Sequence, residues 1–227
     1  MRGWYWLSWF VLGGAGAAPL MAQSFNFDGF VDSTVLTTQY SGATFANTIV
    51  LGAGITLNEF EFPPHSGSNV ASDNGGPISI AFASPVRGIA GHFTYSVPLT
   101  IQALGSSNNV LATASSSYSD NEVLSGVAGS QANEMLTVSS STANVYKIVI
   151  AGGAQGSSFT VDDVSLITQC NIDGKAGGVS ASDVQAVINQ ALGASNPLSD
   201  LNGDAIVNVV DVQIVIDAAV GLNCSAS

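Results

Sequence analysis

At 227 residues with 46% apolar content, the chain can bury one good core with a small module beside it. Four basic residues against 16 acidic ones leave a formal net charge of −12, which excludes nucleic acid and anionic membrane as partners because nothing could neutralise their phosphates. The apolar share also excludes wholesale disorder, and sparse charge among abundant Ser, Thr, Asn and Gly suits an exported, β-rich protein.

Residues 1–22 read as a secretory signal: Arg2, an apolar run over 4–18, then Leu20-Met21-Ala22, with cleavage expected after Ala22. An uncleaved membrane anchor is the alternative, weakened by Gly13, Gly14, Gly16 and Pro19. The expected product is secreted and has no membrane attachment once the signal is removed.

Residues 23–168 read as one antiparallel β-sandwich, jelly-roll-like in its run of short strands and turns. The candidate strands are 48–51, 55–62, 78–82, 86–95, 99–103, 110–115, 135–139, 145–151 and 159–166, with turn clusters at 73–77, 105–109 and 152–156. No helix is expected before residue 180. Within this region Asn58-Glu59-Phe60-Glu61-Phe62-Pro63-Pro64-His65 is the best enzymatic candidate, with two carboxylates and an imidazole inside eight residues. The bland reading is a strand with Phe60 and Phe62 inward and Glu59 and Glu61 outward, stopped by the prolines. His65 and His92 are the only two histidines and lie far apart in sequence, so no catalytic zinc is expected. No catalytic residue is assigned. Trp4, Trp6 and Trp9 all fall in the signal, leaving Tyr40, Tyr95, Tyr118 and Phe93 as aromatics that could stack on a polysaccharide.

The run 159–166 resembles the closing strand of jelly-roll domains related to carbohydrate-binding modules. That resemblance implies a structural calcium held by Asp162 or Asp163 with Asp28; the alternative is a pair of solvated edge carboxylates.

Residues 169–227 form a separate unit after the short hinge 167–169. Residues 179–194 recur at 207–222, with eight of sixteen positions identical at an offset of 28. Val184, Val187, Ile188, Ala191 and Leu192 make an apolar helical stripe ended by Gly193, and Val212, Val215, Ile216, Ala219 and Val220 make its copy ended by Gly221. Before the second helix, residues 200–211 place oxygen-bearing side chains at loop positions 1, 3, 5, 9 and 12, the spacing of a calcium loop. Asp200, Asn202, Asp204, the Ile206 carbonyl, Asn208 and Asp211 are the expected Ca2+ ligands, with Asn208 acting through water. Asn171, Asp173 and Asp183 form a weaker second set, because Lys175 falls at position 5 and the loop carries one extra residue. Cys170 and Cys224 bracket the unit, and export favours a disulfide between them over two free thiols; closing a loop of that length would stabilise the fold by at most roughly 4 kcal/mol in the chain-entropy model.

The Asp211 closure, the Val-Asp-Val-Gln that opens the second helix and the tandem repeat resemble a type I dockerin over residues 170–224. The resemblance implies a calcium-stabilised, EF-hand-like helical pair that docks a cohesin-like protein domain through Val209 and Val210, and through Ala181 and Ser182 in the other copy. Val209 and Val210 with Ile214 would make an apolar patch; the alternative buries them. The function expected is a secreted, non-catalytic docking protein whose sandwich binds glycan. An extracellular polysaccharide hydrolase and a purely structural surface protein are the rivals.

Overall fold

Apolar residues at 78, 80 and 82 and at 148 and 150 leave one face of each strand seeking cover, and two such sheets provide it for each other. The structure is a computed structural model and describes residues 24–175, 178–222 and 224; the expected signal, residues 1–22, lies outside them. The described residues form eleven strands and two helices: β1 (Ser24–Phe25), β2 (Ala43–Ala46), β3 (Thr48–Gly52), β4 (Asn69–Asp73), β5 (Ile78–Val86), β6 (Gly88–Tyr95), β7 (Thr100–Leu104), β8 (Val110–Ser115), β9 (Glu134–Ser139), β10 (Val145–Ala151), β11 (Phe159–Ile167), α1 (Ala181–Ala191) and α2 (Val209–Ala219). Among these, no helix is long and apolar enough to cross a membrane.

One sheet runs β3-β4-β11-β6-β9 with β1 also on β11, and the other runs β2-β5-β10-β7-β8; all their pairings are antiparallel. The mainly β, two-sheet character expected from the sequence is therefore present. The core between the sheets includes Phe25, Phe45, Ile80, Phe93, Ile101, Ile148, Phe159 and Val164.

Two expectations for the sandwich fail. Residues 55–62 are not a strand: Ile55, Thr56 and Leu57 donate to the Gly52 carbonyl, and Glu61 and Phe62 to that of Asn58, so the chain makes successive turns. Only Leu57 of this run is buried, and Phe60 is 80% exposed rather than inward. Nor are Asp162 and Asp163 on an edge. β11 lies inside its sheet, and the register breaks between Asp162 and Ser165 as β11 passes between its partners. At this bulge Asp163 takes a positive φ of 48°.

Beyond β11, α1 and α2 pack on each other around Cys170, Val187, Val207, Ile214, Val215 and Ala218. Cys170 and Cys224 are joined in a disulfide with their Cα atoms 5.7 Å apart. Each helix ends where sequence pattern placed the stop. Gly193 and Gly221 adopt φ of 72° and 87°, which a Cβ would oppose, and Ala194 N–H and Leu222 N–H bond back to the Asn189 and Asp217 carbonyls.

Candidate functional site

The C-terminal unit is built twice on one plan, and a buried aspartate is the centre of each copy. Asp211 sits in the first turn of α2, where its Oδ1 accepts from Leu201 N at 2.6 Å and Asn202 N at 3.3 Å, and its Oδ2 from Asn208 N at 2.8 Å. Asp183 does the same in α1, with Oδ1 accepting from Ile172 N at 2.7 Å and Asp173 N at 3.0 Å, and Oδ2 from Ser180 N at 2.9 Å. Both side chains are fully buried. A buried carboxyl group in that position is tolerable because each oxygen meets main-chain N–H donors, at the N-terminal end of its helix. Loop and helix are thereby stapled together in both halves.

In the second loop, Asp200 accepts from Gly203 N, Asp204 N and Ala205 N at 2.8 to 3.2 Å, folding the chain around its carboxylate. Asp204 accepts from the Asn202 amide at 3.0 Å and from Ile206 N at 2.9 Å, which together hold its carboxyl below the ordinary carboxylate range. Asn208 Nδ2 lies 3.4 Å from both Asp204 Oδ2 and the Ile206 carbonyl, so these two oxygens converge on one donor. Ala205 holds a positive φ of 70° where calcium loops favour glycine. The donor set is all oxygen, three carboxylates, two carboxamides and a carbonyl, and suits a hard dication. Among the described residues, however, no three His, Cys, Asp or Glu side chains are drawn together as a metal cluster.

Of the expected partner-facing residues, Val209 is 76% and Val210 46% exposed, and Ala181 and Ser182 are exposed as well. Ile214 is not: it lies in the core with Val215 and Ala218, so the buried stripe of α2 is Asp211, Ile214, Val215 and Ala218. The expected stripe was displaced by one residue because it ignored Asp211, the polar group that anchors that face. Val220 and Leu192, placed on the inner stripes from sequence, are exposed at the helix ends.

On the sandwich, the structure brings together residues that sequence kept apart. The rings of His65 and His92 stack with centroids 3.4 Å apart and planes 11° from parallel. Asp163 Oδ2 sits 2.7 Å from His65 Nδ1, and the Asn133 carbonyl 3.3 Å from His92 Nδ1. Asp162 Oδ2 accepts from His65 N and Ser66 N, both at 2.9 Å, and pins this loop to β11. Burial pushes the Asp162 carboxyl up to about 6 against the lowering effect of those donors. Asp28 lies nearby, accepting from Ser68 N at 2.8 Å and Asn69 N at 3.1 Å. Asp162 and Asp28 are thus spent on main-chain donors of one loop, and Asp163 on the side chains of His65 and Ser66. No short-range signal could have paired residues 65, 92 and 163.

Glu59 and Glu61 do not share a strand face; Glu59 accepts from Gly54 N at 3.2 Å and Glu61 from the Asn58 amide at 2.6 Å. Of the aromatics proposed to stack on sugar, Tyr95 and Phe93 are fully buried, and Tyr40 packs among Phe25, Phe27, Phe30 and Phe45. Tyr118 is partly buried, and Phe60 is the aromatic that reaches solvent most fully among those described.

The two units meet at Arg87, whose Nη1 donates to the Asn171 carbonyl at 2.6 Å while its Nε donates to that of Ser140 at 3.2 Å. A cleft of about 300 Å3 opens beside it, lined by Arg87, Ser141, Gln169, Gln190, Ser199 and Asp200 among others.

No family model matches the chain, and no curated protein matches it. Solved structures resemble its fold distantly. The K2 cleaved adhesin domain of Lys-gingipain is 10% identical, with 64% of this chain and 99% of that one covered and a TM-score of 0.42. CsCBM6-3 from Clostridium stercorarium, solved in complex with cellobiose, is 17% identical over 59% and 92% of the two chains, with a TM-score of 0.32. An arabinose-bound α-L-arabinofuranosidase is 15% identical over 85% of this chain and 33% of its own, with a TM-score of 0.41. These similarities concern fold alone.

Proposed function

We propose that this is an exported, non-catalytic docking protein whose C-terminal unit is a dockerin-like module stabilised by Ca2+. The second loop takes the ion through Asp200, Asn202, Asp204, the Ile206 carbonyl, a water on Asn208 and Asp211, and binding energy becomes folding energy for α2. The exposed Val209 and Val210, at the start of α2, meet a cohesin-like domain. The sandwich is the cargo, and a polysaccharide is its ligand.

The observation that supports the module reading is the duplicated staple, in which Asp183 and Asp211 hold equivalent loop and cap N–H groups at the same position of two repeated helices. A chance acidic loop would have no reason to repeat that geometry. Calorimetric titration of the full chain with CaCl2 tests it. Uptake is expected for the parent and is lost in Asp200→Ala; a parent that releases no heat and gains no thermal stability on adding calcium removes the reading. Val209→Asp with Val210→Asp should then abolish capture by a panel of type I cohesin domains while leaving calcium uptake intact.

A further inference from the structure

We infer that the cleft beside Arg87, between the sandwich and the C-terminal unit, binds a compact carboxylate that carries hydroxyls, of the sugar-acid class, with Arg87, Gln190 and Ser199 as its donors. This site is independent of the calcium and docking readings.

Arg87 lies in the turn between β5 and β6. Its Nε donates to the Ser140 carbonyl at 3.2 Å and its Nη1 to the Asn171 carbonyl at 2.6 Å, which holds the guanidinium at the junction of the two units. Among the described residues its Nη2 meets no acceptor, and no carboxylate pairs with the side chain. A guanidinium stays charged and offers five N–H donors in one plane. In a chain with 16 acidic residues against four basic ones, this half-buried cation is left without an anion.

The module supplies the other donors. Gln190, on α1, is 9% exposed, and its Oε1 accepts from Leu198 N and Ser199 N, both at 2.8 Å. Only the carbonyl oxygen of an amide can take two N–H donors, so the opposite atom is fixed as Nε2. That NH2 has no partner among the described residues, and neither has the hydroxyl of Ser199, which is 7% exposed. Both residues line the cleft, and their unpaired atoms are not sealed inside the protein. Polar groups of largely buried residues are ordinarily met by a partner. Here three segments hold unused donors at one opening.

Charge, volume and rim decide what fits. One guanidinium beside neutral donors matches a monoanion, and its planar N–H groups match a carboxylate. A polyanion is disfavoured by the net charge of −12 and by Asp200, which also borders the cleft. At about 300 Å3 the cleft is at the small end of ligand sites, suited to one ring and not to a chain. Ser141, Thr142 and Gln169 line it too and offer hydroxyl and amide partners to the rest of the ligand. An occupant touches both units at once.

NMR of the full chain in metal-free buffer tests the site, following the Arg87 Nε–H and Gln190 Nε2 protons during titration with sodium D-glucuronate. D-glucose, sodium acetate and sodium chloride are the comparison titrations. Glucuronate should shift both signals saturably, acetate should bind more weakly, and glucose and chloride should leave them in place. Gln190→Glu keeps an oxygen for Leu198 and Ser199 N–H while turning the cleft side from donor to acceptor. Followed at Arg87, it should weaken glucuronate binding at least about tenfold, the loss of one charge-assisted hydrogen bond, with the backbone amide spectrum otherwise unchanged. No saturable shift with glucuronate, an equal response to glucose or chloride, or undiminished affinity in Gln190→Glu would overturn the site. Acetate bound as tightly as glucuronate would overturn the sugar-acid class.

Discussion

The sandwich and the C-terminal module reach order by different means. Among the described residues the sandwich core counts twenty-six buried apolar residues from both sheets, and the module core six. Burial of apolar surface is the main term against chain entropy, and the module has far less of it. The module makes up the difference with local devices: a disulfide across 54 residues, a buried aspartate stapling each loop, capped helix starts and left-handed glycine stops. A large core tolerates polar exceptions, whereas a small one depends on every clasp.

The comparison breaks first in the sandwich core. Phe93→Ala removes a fully buried ring from β6 and should cost about 3–5 kcal/mol, read as a large fall in the sandwich melting transition with the module transition little changed. A loss under 1 kcal/mol would mean that the core does not carry the stability assigned to it. Next comes the clasp. Cys170→Ser with Cys224→Ser should cost the module about 2–4 kcal/mol and leave the sandwich transition in place. If both transitions fell together in calorimetry, the units would be one cooperative structure and the contrast between them would be lost.

How much of this was readable from sequence follows the same divide. The module is local: its repeat, loop spacing, helix stops and cysteine pair all lie within about 55 residues, and each was visible. What failed there was one helical face, because Ile214 lies inward on the side that Asp211 anchors. Strands set off by clear turn residues on either side, such as β8 and β10, match their expected bounds to the residue. β4 was missed since Asn69, Ser72 and Asp73 look like loop, yet all its residues are buried and satisfied across the chain: Ser72 Oγ donates to the Phe159 carbonyl, and Asp73 accepts from Ser158 and Phe159 N–H. β1 and β2 are too short to show periodicity. Conversely 55–62 alternates like a strand but turns at Gly52 and Asn58. The His65–His92 stack joins residues from a loop and a strand, and only the register of β6 with β11 places them together.

The smallest effect separates the units by pH. Asp162 is buried beneath the 65–66 loop with its folded carboxyl raised to about 6 from 3.8. A raised carboxyl means the folded state holds a proton that the unfolded chain releases, so by linkage this group makes the sandwich more stable as pH falls from 7 through 6 toward 4. The gain stops below the unfolded value, where both states are protonated. In the module, Asp204 and Asp173 are held below their ordinary values, so their contribution persists across this window and is lost only below about 4. Calorimetry at pH 7 and 5 should therefore raise the sandwich transition slightly and leave the module's unchanged from these groups, and an NMR titration of the Asp162 carboxyl carbon should give a midpoint near 6. A midpoint below 3.8 would show that the N–H donors of His65, Ser66 and Asp163 outweigh burial, and the carboxylate would then be a stabilising anchor of the loop at neutral pH instead of a cost carried to hold it.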